Sequence, residues 1–143
     1  MKPDPPARTA YRVFRPIQTR WADNDVYGHV NNVQYYAFFD TAVNGYLVAA
    51  GALEIETSPV IGLVVATNCD YFASVAFPEE IEAGIVVTRL GTSSVTYGVG
   101  IFRQGTEVAA AAGRFTHVYV DRQTRKPVAL PEKLRGALAP LVA

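Results

Sequence analysis

The stretch NNVQYYAFFDTAVNGYLVAA, residues 31–50, decides how the rest of the chain must fold. Val33, Tyr36, Ala37, Val43, Leu47 and Ala50 recur at three- and four-residue steps, the period of an α-helix. Tyr35, Phe38, Phe39, Ala42 and Tyr46 fill the remaining arc, which leaves little polar face. A helix so apolar is expected to be enclosed by the rest of the protein. Gly51 provides its C-terminal stop.

Beyond Gly51 almost everything reads as strand. PVIGLVVATNCDYFA (59–73) is β-branched and apolar, and EEIEAGIVVTRLG (79–91) follows a Phe-Pro turn. SSVTYGVGIFR (93–103) alternates, QGT makes a tight hairpin connection, and EVAAAAGRFTHVYVD (107–121) is the last long strand. The tail turns at Lys126-Pro127, with a short helix expected after Pro131. Ahead of the helix, YRVFRPIQTRW (11–21) alternates as a strand, with Pro16 favouring an edge or a bulge. The inventory is α+β: an antiparallel sheet of about five strands wrapped around one long central helix with a single core. Residues 1–10, rich in proline and charge, are expected to be a loose tail, and 11–143 one domain.

Composition narrows the function classes. Thirteen basic and thirteen acidic residues cancel, so the basic excess that phosphate contacts require is missing and no nucleic-acid partner is expected. A single cysteine, Cys69, excludes an internal disulfide framework and a multi-thiolate zinc cluster. The first residues lack the apolar run of a signal peptide, and Asp40, Asn44 and Gly45 interrupt the longest apolar segment. No membrane association and a cytoplasmic location are the resulting expectations.

The polar loop ADNDVYGH (22–29) stands directly before the helix. Asp, Gly and Asn turn a chain sharply, and Asn31 or Asn32 can cap the first helical amides, so a plain turn-and-cap accounts for part of it. The loop carries more polar groups than a cap requires, however, and the start of an enclosed helix offers unpaired N–H groups and a positive dipole end. Such a place stabilises an oxyanion as an acyl carbonyl is attacked. Asp25 could deliver a carboxylate to that carbonyl or activate a water beside it.

These residues carry a resemblance. RWADNDVYGHVNNVQYYAFFDTA (20–42) resembles the signature of the hotdog-fold acyl-CoA thioesterases of the 4-hydroxybenzoyl-CoA thioesterase type. That signature is an aromatic residue, Asp-x-Asp, two residues, Gly, often His-Val-Asn-Asn, then an aromatic-rich helix. RLGTSSVTYGVGIFR resembles the family's paired central strands and HVYVDRQTRKPVALPEKLR its last strand and exit, so the likeness runs from Tyr11 to Arg135. It implies that Asp25 is the catalytic carboxylate, as nucleophile or general base. Gly28 then permits close approach of backbone to thioester, and amides near Asn32 polarise the carbonyl. No metal or cofactor is implied, coenzyme A being part of the substrate.

The other positions have two readings each. Asp23 holds the loop by hydrogen bonds to backbone amides. His29 orients a water or the substrate carbonyl, or anchors the loop. Asp40, read as buried, needs a partner on a neighbouring strand or subunit, while the resemblance places it at the acyl pocket, often that of the neighbouring subunit. Tyr35 is core first and a possible acyl-channel wall. Arg89, Gly91, Ser93 and Ser94 suit phosphate binding and, by resemblance, the nucleotide end of coenzyme A; a solvated hairpin would look similar. Arg122 and Arg125 are assigned the same way. His117 is a sheet histidine and Cys69 a core residue.

Acyl-CoA hydrolysis therefore leads. Release of an acyl chain from an acyl carrier protein and non-catalytic acyl-CoA binding are the alternatives. A hydratase is disfavoured because its Asp-x-Asn-Pro-x-His spacing is absent. Exposed sheet edges predict a homodimer, and the resemblance extends this to a homotetramer with sites at the interface.

Overall fold

A computed structural model describes residues 3–143. The strands are β1 (Val13–Gln18), β2 (Val60–Thr67), β3 (Asp70–Tyr71), β4 (Glu80–Leu90), β5 (Ser94–Arg103) and β6 (Ala111–Asp121). The helices are α1 (Gln34–Ala49) and α2 (Glu132–Leu138). All strands join one antiparallel sheet in the order β1-β4-β5-β6-β2, with β3 prolonging the β2 edge along β6. This is the hotdog-like arrangement expected, with six strands because the segment read as one strand at 59–73 is interrupted between Thr67 and Asp70.

The alternation in β4 and β5 explains the layering. Ile81, Ala83, Ile85 and Val87 from β4 and Val95, Tyr97, Val99 and Ile101 from β5 all point to one face and are buried. That face receives Tyr35, Phe38, Phe39, Ala42, Val43 and Leu47 of α1, and Phe39 meets Phe115 of β6 edge to face. Each of the larger side chains contributes about 1.5–3 kcal/mol through the area it removes from water. The Tyr46 hydroxyl donates to the carbonyl of Ala137 at 2.6 Å, which ties α1 to α2.

Three expectations need correction. The helix begins at Gln34, not Asn31, because residues 31–33 form a separate turn. It is not enclosed: Ala37, Asp40, Thr41 and Val48 face outward, since a single sheet can cover only one side of a helix, and α2 is a second helix beside it. Residues 6–10, expected in a loose tail, lie on the sheet's outer surface. There Ala7 bridges Val108, the Arg8 amide donates to the Glu107 carbonyl, and the Arg8 guanidinium stacks over Phe14 and Phe102 while pairing with Glu82 at 2.9 Å. Met1 and Lys2, at the start of that expected tail, fall outside the described residues. No helix among the described residues is long and apolar enough to cross a membrane.

Candidate active site

The loop before α1 is organised from its buried acid outward. Asp23 is fully buried; its carboxylate accepts the Arg20 amide at 2.7 Å and the Arg20 guanidinium at 2.7 and 3.1 Å, closing the short turn Trp21–Asp23. The structural part expected of Asp23 is what the geometry gives it. Next, Asn24 bridges Val30, its side-chain oxygen accepts the Phe77 amide at 3.0 Å, and the Val30 amide donates to Val75 at 2.8 Å. The loop is thus fastened to the segment between β3 and β4.

Beyond that fastening the chain makes a tight reversal. The Asp25 amide donates to the His29 carbonyl at 2.9 Å and the Gly28 amide to the Asp25 carbonyl at 3.1 Å. Gly28 sits at φ +83°, in the left-handed region that favours glycine, so its place in the motif is explained by the turn itself. One oxygen of the Asp25 carboxylate accepts the Tyr27 amide at 2.9 Å, which orients the side chain and leaves its second oxygen without a bond of that kind among the described residues.

Asp25, His29, Val30, Asn32, Tyr35 and Tyr71, with residues 72–74, line one cleft of about 380 Å³. Four of the expected site residues therefore meet: Asp25, His29, Asn32 and Tyr35. The amides of the helix start show what the cleft can do. Asn31 donates to Asp23 at 2.9 Å, Val33 to the Asn31 side chain at 3.1 Å, Gln34 to the Asn31 carbonyl at 2.9 Å and Tyr35 to the Asn32 carbonyl at 3.4 Å. The Asn32 N–H is the one in this run that has no acceptor among the described residues. Asn31 caps through Val33, two residues on, rather than as the residue flanking the helix.

The cleft wall is aromatic. Tyr35 and Tyr71 meet edge to face at 5.0 Å, and burial pushes the Tyr35 phenol up to about 12. The Tyr71 hydroxyl, also raised chiefly by burial, donates to the Asn32 carbonyl at 3.0 Å. Cys69, half-buried between these rings and β6, is pushed up to about 11 by the same cause, which removes thiolate character. Sequence reasoning missed Tyr71: inside CDYFA it reads as one more strand aromatic, and only the fold brings it to Asn32.

The helix start is not dry in a single chain. Asn32 and Val33 are exposed, as are Trp21, Val26 and Tyr27, the last three at 81%, 93% and 82%. The enclosure expected from the sequence is therefore not provided by this chain alone.

Other expected residues lie elsewhere. Asp40 is exposed on the outer side of α1, where Asn44 donates to its carboxylate at 2.8 Å and to its carbonyl at 2.9 Å; it does not line the cleft of its own chain. The burial expected of it would require an enclosed helix, and the sheet covers only one side of α1. Arg89, Gly91, Ser93 and Ser94 form the β4–β5 turn region, at the opposite end of the sheet. Tyr71 pairs with Ala111, which pairs with Ile101, and Ser94 stands seven residues back along β5, roughly 23 Å away at the rise of a strand. Within one chain these four residues cannot share a site with Asp25. The turn is pinned by Arg135, which donates to the Gly91 carbonyl at 2.7 Å. Arg122 is engaged as a clamp on the Ser58 and Ile55 carbonyls at 2.6 and 2.7 Å. His117 is buried in the sheet as expected, its Nδ1 3.1 Å from the Tyr119 hydroxyl. No group of three or more His, Cys, Asp or Glu side chains that could hold a metal ion occurs among the described residues.

Asp23 braces the loop, Asp25 is among the residues lining the aromatic cleft, and the Asn32 amide stands open at the start of a sheet-packed helix; comparison with known proteins gives the family. The chain belongs to the Thioesterase-like superfamily, which it matches over residues 19–138. It is similar to the PA5185 protein of Pseudomonas aeruginosa strain PAO1, with 58% identity, a TM-score of 0.96 and 98% of each chain covered. Slr0204 of Synechocystis, a 1,4-dihydroxy-2-naphthoyl-CoA thioesterase, shares the fold, with a TM-score of 0.79 over 88% of this chain and 94% of that one at 19% identity. The protein YsmA of Bacillus subtilis (strain 168) is 26% identical over 89 residues, which are 62% of this chain and 60% of that relative's length.

Proposed function

We propose that this protein hydrolyses acyl-CoA thioesters to a free acid and coenzyme A, in the manner of the 4-hydroxybenzoyl-CoA thioesterase type. One observation carries the reading: Asp25 and Asn32, whose N–H has no acceptor among the described residues, line the same cleft. An acyl carbonyl seated there would direct its oxygen at the Asn32 amide, whose N–H stabilises the negative charge that builds on attack. Asp25 would act on the carbonyl carbon directly, giving a mixed anhydride that water then cleaves, or would take the proton of an attacking water. In either case coenzyme A leaves as a thiolate, a good leaving group. Tyr35 and Tyr71 would flank the acyl group, and His29 on the rim would contact the carbonyl or a water.

The dimer is part of this proposal. β2 is an edge strand whose Leu63, Val64 and Val65 are exposed, an arrangement that invites pairing with a second copy. Antiparallel pairing of two β2 strands about a two-fold axis would bring the far end of one sheet beside the cleft end of the other. Arg89, Gly91, Ser93 and Ser94 of one protomer would then reach the partner's cleft, where they could bind the nucleotide end of coenzyme A. The same association would cover Val26 and Tyr27 and dry the site. A further pairing into tetramers and a cytoplasmic location complete the reading.

Free-thiol release from a panel of aromatic, medium-chain and long-chain acyl-CoA substrates tests the activity. Asp25→Asn is expected to lower kcat by at least a thousandfold with KM within about threefold, a loss confined to the transition state. Unchanged turnover in that variant would remove Asp25 from the mechanism. Single-turnover hydrolysis in heavy-oxygen water separates the two routes, because label enters the Asp25 side chain only through an anhydride.

A further inference from the structure

We infer that Tyr71 is a positioning residue for this reaction: its hydroxyl, from the sheet edge, holds the Asn32–Val33 peptide and, through the Asn32 Cα that this peptide shares with the preceding one, restricts the swing of the Asn32 N–H. The inference rests on the thioesterase reading for its catalytic consequence, but its geometry stands alone. The Asn32–Val33 peptide is held at both ends. Its carbonyl accepts the Tyr71 hydroxyl at 3.0 Å, and its N–H donates to the Asn31 side chain at 3.1 Å. Asn31 is a neighbour in the same loop, its own amide tied to the Asp23 carbonyl at 2.9 Å. Tyr71 is 39 residues away and belongs to the sheet, so it is the one of these two that ties the turn to the sheet.

A defect in the edge strand delivers Tyr71 to that place. From Val60 to Val64, even-numbered residues of β2 stand opposite core-facing residues of β6, as Gly62 does with Tyr119 and Val64 with His117. The register shifts between Val64 and Ala66, and from there Thr67 stands opposite Phe115 and Tyr71 opposite Ala111. One inserted residue turns every later side chain to the other face. Without it Tyr71 would point away from α1; with it Cys69 and Tyr71 join the core on the α1 side. The strand break after Thr67 is built in as well. The Asn68 side chain accepts the Arg114 amide at 2.7 Å, and a Cβ at Gly113 would lie 1.8 Å from the Asn68 carbonyl oxygen, so only glycine fits. The Tyr71 ring is then set by its edge-to-face contact with Tyr35.

An oxyanion donor that swings costs rate rather than affinity, because the bond it makes strengthens only as charge develops. Tyr71→Phe keeps the ring and its packing and removes the hydroxyl. Two readouts on the full chain decide the matter. Backbone amide exchange at Val33, Gln34 and Tyr35 is expected to quicken at least fivefold in Tyr71→Phe while amides in β5 stay as slow as in the parent; unchanged exchange in the turn overturns the positioning. Acyl-CoA turnover is expected to fall about tenfold in kcat with KM within twofold, the size of one hydrogen bond. A fall confined to KM, or none, overturns the catalytic part. Should the parent protein cleave no thioester at all, the function proposed above fails, and with it the catalytic part here, while the exchange experiment still decides whether Tyr71 holds the turn.

Discussion

His117 gives a prediction that can be worked through from the structure. It lies in β6, 1% exposed, with Tyr119 on its own strand, Tyr97 on β5 and the backbone of Gly62 on β2 packed around it. Its Nδ1 is 3.1 Å from the Tyr119 hydroxyl, which is 2.7 Å from the Tyr97 hydroxyl, so the network is satisfied with a neutral imidazole and offers no carboxylate to an imidazolium. Burial accordingly lowers the His117 pKa from 6.5 to about 4. A group whose folded pKa is depressed binds its proton more readily in the unfolded chain. The stability it confers is therefore complete above about pH 6.5 and is lost as pH falls through the folded value near 4. At ~1.4 kcal/mol for each pH unit between those limits, the loss is on the order of 3 kcal/mol. Other groups titrate in the same window, so the measurement is a difference. Urea unfolding followed by circular dichroism at fixed protein concentration is compared for the parent and His117→Phe at pH 7, 6, 5 and 4. The Phe variant loses one hydrogen bond, about 1 kcal/mol at every pH, but leaves Tyr119 bonded to Tyr97. The parent's stability relative to the variant is expected to decline by about 3 kcal/mol from pH 7 to pH 4. A difference that stays flat over that range would refute the reasoning, since it would mean that His117 is protonated as easily folded as unfolded.

Two more outcomes can be stated beside those for Asp25 and Tyr71. Gly113→Ala sets a methyl group against the Asn68 carbonyl oxygen and is expected to destabilise by about 2–3 kcal/mol, seen as a fall of roughly 5–10 °C in Tm; a Tm within 1 °C of the parent would show that the strand break relaxes freely. Val65→Lys puts a charge on an edge residue that is 59% exposed, so light scattering after size exclusion should show dissociation at concentrations where the parent is dimeric, and an unchanged mass would remove β2 as the seam.

What could be read from the sequence follows the range of the interactions involved. Helical periodicity, strand alternation and the turn chemistry of Asp25 and Gly28 are set by residues within a few positions of one another, and those readings hold in the fold. Asp40 is exposed rather than buried in the chain, because its exposure depends on how much of α1 a single sheet can cover, which no local pattern encodes. Arg89, Gly91, Ser93 and Ser94 were grouped with the site by resemblance, but their distance from Asp25 is fixed by the length of β5. Tyr71 is the most instructive case. Alternation counted along PVIGLVVATNCDYFA puts Val60 and Tyr71, eleven positions apart, on opposite faces, yet both pack against the core. The extra residue that reconciles them is visible only in the pairing of β2 with β6, and the close approach that follows needs Gly113, some forty positions away. A site assembled this way couples the amide at the helix start to the register of the edge strand. If β2 is also the seam between protomers, forming the dimer and orienting the Asn32 amide act on the same strand, and a perturbation of the seam should reach kcat through Tyr71 before it reaches the core.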